Sequence, residues 1–164
     1  LAPVTFGDAA MDVVMNRKSK VRCWYLDVTM LGKYWGNERT YHHTAPITMM
    51  YALREGLRIV QEEGLKARQA RHAAIAVEIR EGLFELGFSL FTNPDYLLNS
   101  LTVAYPPSDW DCEAKRKELL LDHNIEVGGG LGPVAGKVWR IGHMGENAKP
   151  QTIAVFLDAL RRMK

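Results

Sequence analysis

Two stretches of the chain concentrate residue types that do chemistry, at spacings a fold can use. The first is Lys137-Val138-Trp139-Arg140-Ile141. Its polar, apolar, aromatic, charged, apolar alternation reads as a strand. Gly136 and Gly142 flank it, within a glycine-rich stretch that opens at Gly128 and runs to Gly145. Arg140 is thus delivered on a short, firm element inside a permissive loop. A guanidinium is planar, permanently charged and forked, so on a rigid strand it suits two-point binding of a carboxylate or phosphate. A plain solvent-facing arginine fits the same pattern, because arginines are mostly surface residues. Both readings stand at this level.

The second stretch is Tyr41-His42-His43-Thr44-Ala45-Pro46. Thr44 is a good N-cap and Pro46 suits a first turn, so a helix is expected from about Ala45 to Glu63, closed by Gly64. Ile47, Met50, Leu57 and Val60 follow a helical period. The positive end of that helix carries a phenol, two imidazoles and a hydroxyl. Backbone donors there, with the Tyr41 and Thr44 hydroxyls, would make an anion site. An N-cap with aromatic staples is the plainer alternative. Adjacent histidines do not readily face one metal, and no third ligand is near in sequence, so no metal site is expected.

The remaining elements must position these two stretches. Pro3 to Gly7 reads as a strand, and Asp8 can cap a short helix to Asn16. Arg17 to Arg22 is a basic connector that also has the composition of a phosphate patch. Trp24 to Gly36 is rich in aromatics and reads as a segment packed against another surface, either a core or a partner. An amphipathic scaffold helix is expected from Leu65 to Leu86. Phe88–Phe91 and Ser100–Tyr105 read as strands, with an Asn93-Pro94 turn between them. Asp109 or Asp111 caps a helix to about Asp122, Ile125–Val127 is a short strand, and a last helix runs from Pro150 to about Met163. From Leu65 onward this order defines an α+β layer, helices on one small, largely antiparallel sheet. The region before Gly64 does not fit that layer and reads as the end of a different domain followed by a bridging helix.

Composition sets the outer limits. The chain has 164 residues with 47% hydrophobic and 24% charged positions, enough for a real core. A formal charge of +2 gives no argument for nucleic acid. Cys23 and Cys112 have no metal spacing and form no disulfide framework, so a reducing compartment is the default and secretion is not expected. No apolar run approaches a membrane span and no signal peptide is visible. The chain opens at Leu1 and runs straight into a strand-like stretch, which reads as a piece of a longer protein.

Taken in order, Tyr41–Pro46, Ala52-Leu53-Arg54-Glu55, Ile125–Gly132 and Gly136–Gly142 closely resemble the C-terminal part of the class V pyridoxal-phosphate aminotransferases. Within that class the likeness is to the alanine–glyoxylate and serine–pyruvate group, and it covers essentially the whole chain, including Trp24–Asp27 and Tyr34–Gly36. Each motif is weak alone; the ordered set is specific. The resemblance implies an α/β fold-type-I protein: residues 1–44 the end of the large cofactor domain, 45–64 a bridging helix, 65–164 the small domain. It implies a transaminase moving an amino group from alanine or serine to glyoxylate, with pyridoxal 5'-phosphate as cofactor. Small amino acids and 2-oxo acids would be its substrates, and the protein would be a homodimer with shared active sites, without nucleic-acid or membrane partners.

Residue by residue, the resemblance gives Arg140 the grip on the substrate α-carboxylate. It gives Tyr41 and Thr44 contacts to the cofactor phosphate, made in the neighbouring subunit's site. The lysine that carries the cofactor as a Schiff base follows Ser-Gln in such proteins and would lie upstream of Leu1. None of the nine lysines present has that context, so catalytic residues are expected outside this chain. Two departures stand out. Leu97-Leu98-Asn99-Ser100 replaces a common Arg-Leu-Pro-Thr, and His143 stands where an apolar residue is frequent. His143 is read as a partly exposed or supporting histidine, with substrate contact as the alternative. A non-catalytic dimerisation or binding domain, or a related hydroxykynurenine or ureidoglycine transaminase, are the other functional readings. Relatives of this kind are peroxisomal, mitochondrial or cytosolic, and Arg161–Lys164 is not the standard peroxisomal tripeptide.

Overall fold

A computed structural model describes all 164 residues. The chain divides into two compact units, Leu1–Ile59 and Val60–Lys164.

In the first unit, α1 spans Asp8–Met15 and α2 spans Val28–Trp35. Asp27 caps α2: its carboxylate accepts from Thr29 N at 3.0 Å and from the Thr29 hydroxyl at 2.6 Å. A single 3-10 turn, Trp24–Leu26, precedes it. Helix α3, Ile47–Glu63, begins in this unit and runs into the second. Residues 3–7 are not a strand, contrary to the sequence expectation: every strand lies between Ser89 and Gly142, and none pairs with them. Asp8 is the first residue of α1 rather than its cap, and Gly7 holds the cap position with no side-chain bond.

The second unit carries the α+β layer. Helix α4, Leu65–Glu85, starts immediately after Gly64, whose φ of +78° lets two helices follow each other with one residue between them. Strands β1 (Ser89–Leu90), β2 (Leu101–Tyr105), β3 (Gly128–Gly129) and β4 (Trp139–Gly142) form one fully antiparallel sheet in the order β1-β2-β4-β3. Helix α5, Cys112–His123, is capped by Asp111, whose carboxylate accepts from Ala114 N at 2.7 Å. Helix α6, Pro150–Arg162, closes the unit.

Ile75, Ile79 and Leu83 of α4 and Ile153, Phe156, Leu157 and Leu160 of α6 form the core with Ala104, Trp139 and Ile141 on one face of the sheet. Each such side chain stabilises the fold by roughly 1.5–3 kcal/mol through area removed from water. Trp139 is fully buried; its indole N–H donates to Cys112 O at 2.9 Å, and its ring meets Phe88 edge-on at 5.5 Å. The third strand is displaced from its expected place: Ile125–Val127 is loop, and pairing begins at Gly128, directly opposite Arg140. No helix is long and apolar enough to cross a membrane.

Candidate active site

Arg140 sits in the second unit, on the face of β4 opposite the core. The strand alternates as read from the sequence: Trp139 and Ile141 are buried, Arg140 is exposed. Its Nε–H donates to Gly129 O at 2.7 Å. The guanidinium therefore lies across β3, where a Cβ on Gly128 would stand 3.3 Å from Arg140 Nη2. Glycine at this position leaves room for the arginine to lie flat against the neighbouring strand. No other side-chain hydrogen bond and no ion pair engages Arg140, so the two terminal nitrogens keep their N–H groups for a ligand.

A second arginine in the same unit has the opposite character. Arg71 holds Glu63 in a two-point pair, Nε to Oε1 at 2.6 Å and Nη2 to Oε2 at 2.9 Å. Its Nη1 donates to Gly145 O at 3.0 Å and Ala148 O at 2.6 Å. Arg68 adds a bond to Glu63 Oε2 at 2.8 Å. Hydrogen bonds from Arg71 first, and also from Arg68, hold the Glu63 carboxyl down to about 2. His72 completes the brace: Nδ1–H donates to Arg68 O at 2.7 Å and Nε2 accepts from Gly145 N at 3.0 Å, which fixes its tautomer. The loop that follows Arg140's strand is thus tied to α4. The sequence reading missed this brace. Its signal was Glu63 and Arg71 on either side of Gly64.

Of the two readings given to His143, a partly exposed or a supporting histidine, the first does not hold: the residue is buried at 1% exposure. It continues the inward alternation of Trp139 and Ile141. Its Nε2 bonds the Thr102 hydroxyl at 2.9 Å, and its backbone N–H donates to Ser100 O at 3.0 Å. Burial, then the charge of Arg80, pushes the imidazole down to about 4. Its Nδ1 has no hydrogen-bond partner. His143 is a neutral core residue that pins the start of β2 to the end of β4.

Tyr41 and Thr44 belong to the first unit and are brought together: their hydroxyl oxygens stand 3.2 Å apart, on exposed residues. Thr44 does not cap the helix as expected. Helix α3 begins three residues later, at Ile47, whose N–H already bonds Ala45 O at 2.8 Å. With the cap role gone, the Thr44 hydroxyl turns to Tyr41, and the anion-binding potential rests on the two hydroxyls. Two adjacent, exposed hydroxyl donors suit the oxygens of a phosphate ester.

Behind them lies an imidazole pair. His42 Nδ1 and His43 Nδ1 stand 2.8 Å apart, and His42 Nε2 is 3.1 Å from Trp24 O. His42 stacks on the Trp24 ring at 4.1 Å between centroids. His43 contacts Tyr25 at 5.2 Å and Tyr34 at 5.1 Å, and Tyr34 in turn meets Tyr41 edge-on at 6.1 Å.

The two units carry these groups separately, and comparison with known proteins finds the chain similar to aminotransferases, in line with the resemblance read from its sequence. No family model matches the chain. It is 38% identical over 162 residues, 96% of its length, to the alanine–glyoxylate aminotransferase of Callithrix jacchus. It is 34% identical over 178 residues, 98% of its length, to the (S)-ureidoglycine–glyoxylate transaminase of Bacillus subtilis. A crystal structure of alanine–glyoxylate aminotransferase from Nostoc sp. superposes with a TM-score of 0.90 at 46% identity, over 96% of this chain and 42% of that one. The chain spans about two fifths of the length of the curated relatives it matches, 39% and 43% respectively.

Proposed function

We propose that this chain is part of a pyridoxal 5'-phosphate-dependent transaminase that moves an amino group from alanine or serine to glyoxylate. The observation that carries the reading is its likeness, along 96% of its length, to proteins named alanine–glyoxylate aminotransferase. In this reading residues 1–44 are the end of the cofactor domain, 45–64 the bridging helix and 65–164 the small domain. The protein works as a homodimer.

Each residue's part follows from its chemistry. Tyr41 and Thr44 would donate to the cofactor phosphate in the neighbouring subunit, the hydroxyl that here donates to the other across 3.2 Å turning its hydrogen to the phosphate instead. Arg140 keeps its Nε on Gly129 O and offers the Nη pair, side by side, to the substrate carboxylate. That anchors the α-carbon at a fixed distance and angle, which is where positioning lowers a barrier. The Glu63–Arg71 brace keeps the loop after Gly142 from moving the strand that carries Arg140. When bound, pyridoxal phosphate supplies the electron sink for loss of the α-proton. The lysine that holds it and shuttles that proton comes from another part of the polypeptide. A ureidoglycine substrate is a second reading, favoured by the 34% identity to the Bacillus subtilis transaminase over 98% of the chain.

The test uses the full-length protein, with glyoxylate as acceptor and alanine, serine or ureidoglycine as donor. Turnover of alanine or serine bears the proposal out, turnover of ureidoglycine alone moves it to the second reading, and turnover of none removes it. Arg140→Ala should lower kcat/KM by on the order of 100-fold while the absorbance of bound cofactor stays the same. An unchanged kcat/KM takes Arg140 out of the site.

A further inference from the structure

The sequence reading gave His42 and His43 no task, yet His42 is the one buried residue of the first unit, at 3% exposure. With both rings neutral, their geometry fixes where their protons are. Trp24 O can only accept, so His42 Nε2, 3.1 Å away, carries a hydrogen and donates it. A neutral His42 then presents a bare lone pair at Nδ1. The 2.8 Å contact to His43 Nδ1 requires one hydrogen between the two nitrogens, so His43 Nδ1–H donates to His42 Nδ1. The direction of the chain is set from its buried end: His43 to His42 to the Trp24 carbonyl. One proton, and one only, fits between the two rings.

Ring packing connects this pair to the hydroxyl pair. His43 packs on Tyr34, Tyr34 packs on Tyr41, and Tyr41 OH meets Thr44. His43 also directly precedes Thr44 in the chain, so fixing its ring fixes the backbone from which both hydroxyls project. We propose that His42 and His43 are positioning residues for the Tyr41–Thr44 hydroxyl pair, acting through the single hydrogen held between their Nδ1 atoms. The inference rests on the proposal that this pair receives the cofactor phosphate.

Two substitutions at His43 separate the hydrogen bond from mere packing. His43→Asn keeps a donor near the Nδ1 position and loses the ring. His43→Phe keeps a ring against Tyr25 and Tyr34 and loses the donor. In the full-length protein, pyridoxal phosphate titrated into the apo form should bind at least 10-fold more weakly to the Phe variant and within about 3-fold of wild type to the Asn variant. The reverse order, or equal loss in both, or no loss in either, overturns the inference. Imidazole 15N NMR of the same apo protein gives a readout that needs no cofactor. His42 should be the Nε2–H tautomer and His43 the Nδ1–H tautomer; any other pair of tautomers also overturns it. If wild type shows these tautomers but binds no pyridoxal phosphate, the functional proposal has failed and the positioning role falls with it. If wild type binds the cofactor with different tautomers, only the inference has failed.

Discussion

In residues 60–164 the buried side chains are apolar except for the Thr102–His143 pair, from Ile79 and Leu83 on α4 to Trp139 on β4, and a hydrogen-bonded sheet closes over them. In residues 1–59 the one buried residue is an imidazole, while Trp24, Trp35 and Tyr51 stand 52%, 58% and 67% exposed. Both regions are rich in apolar and aromatic residues, so composition does not separate them. What separates them is whether those residues meet one another. Within these 164 residues the second region gathers its apolar side chains into a buried cluster, and the first does not. Its short helices are held by a cap at Asp27, by aromatic contacts and by the histidine pair. The chemistry is divided along the same line. The core-bearing region holds a charged fork on a rigid strand, and the core-less region holds neutral hydroxyls on a loop. An arginine left exposed on a braced sheet keeps its aim without help. Two hydroxyls on a loop need something behind them.

The strongest way to break this comparison is to cut the chain. Residues 60–164 alone should unfold cooperatively in urea, and residues 1–59 alone should show no cooperative transition by circular dichroism. A cooperative transition in the short piece would mean that it has a core after all.

The next effect comes from pH. His143 sits at about 4 when folded, below the roughly 6.5 of an unfolded histidine. Below pH 6.5 the unfolded chain takes up a proton that the folded one refuses, so stability is full above that pH and declines between about 6.5 and 4. For residues 60–164 the loss due to His143 should be about 2 kcal/mol at pH 5. His143→Gln, whose amide can still meet Thr102, should lack that part of the decline. Parallel pH profiles for the two would show that the histidine is charged in the fold.

The smallest effect sharpens the boundary between the regions. Asp111→Ala removes the cap of α5 and should lower the stability of the second region by about 1 kcal/mol. Asp27→Ala removes the cap of α2 and should leave that same unfolding transition of the full-length chain where it was. A shift on Asp27→Ala would make the two regions one cooperative unit.

Much of the second region was legible in the sequence because its elements carry their periods openly. Alternation put Arg140 outward on a strand, and the helices ended within a residue or two of Gly64, Leu86 and Met163 as expected. Strand β3 was misplaced because Gly128 and Gly129 carry no pattern; pairing there is set by what Arg140 needs across from it. Followed only as far as Ile141, the alternation leaves His143 open between a partly exposed and a supporting histidine. Two residues further along the same face it points into the core. In the first region, Tyr41 and Thr44 could be singled out as donors, but the helix start could not be placed. Thr44 and Pro46 satisfy a capping rule that the Tyr41 hydroxyl and the Ala45 carbonyl override. The histidine pair was invisible for a plainer reason. Only the carbonyl of Trp24, eighteen positions away, decides which nitrogen bears the hydrogen.

The lengths of the strands have a consequence for how copies of this chain can meet. The inner strands β2 and β4 have five and four residues, while the two at the margins, β1 and β3, have two each, and β3 is glycine alone. Neither margin offers a run of free backbone groups long enough to template a further strand. The sheet is therefore closed to growth, by a neighbour or by aggregation. A second copy meeting this unit would have to use something other than strand addition at the sheet margins.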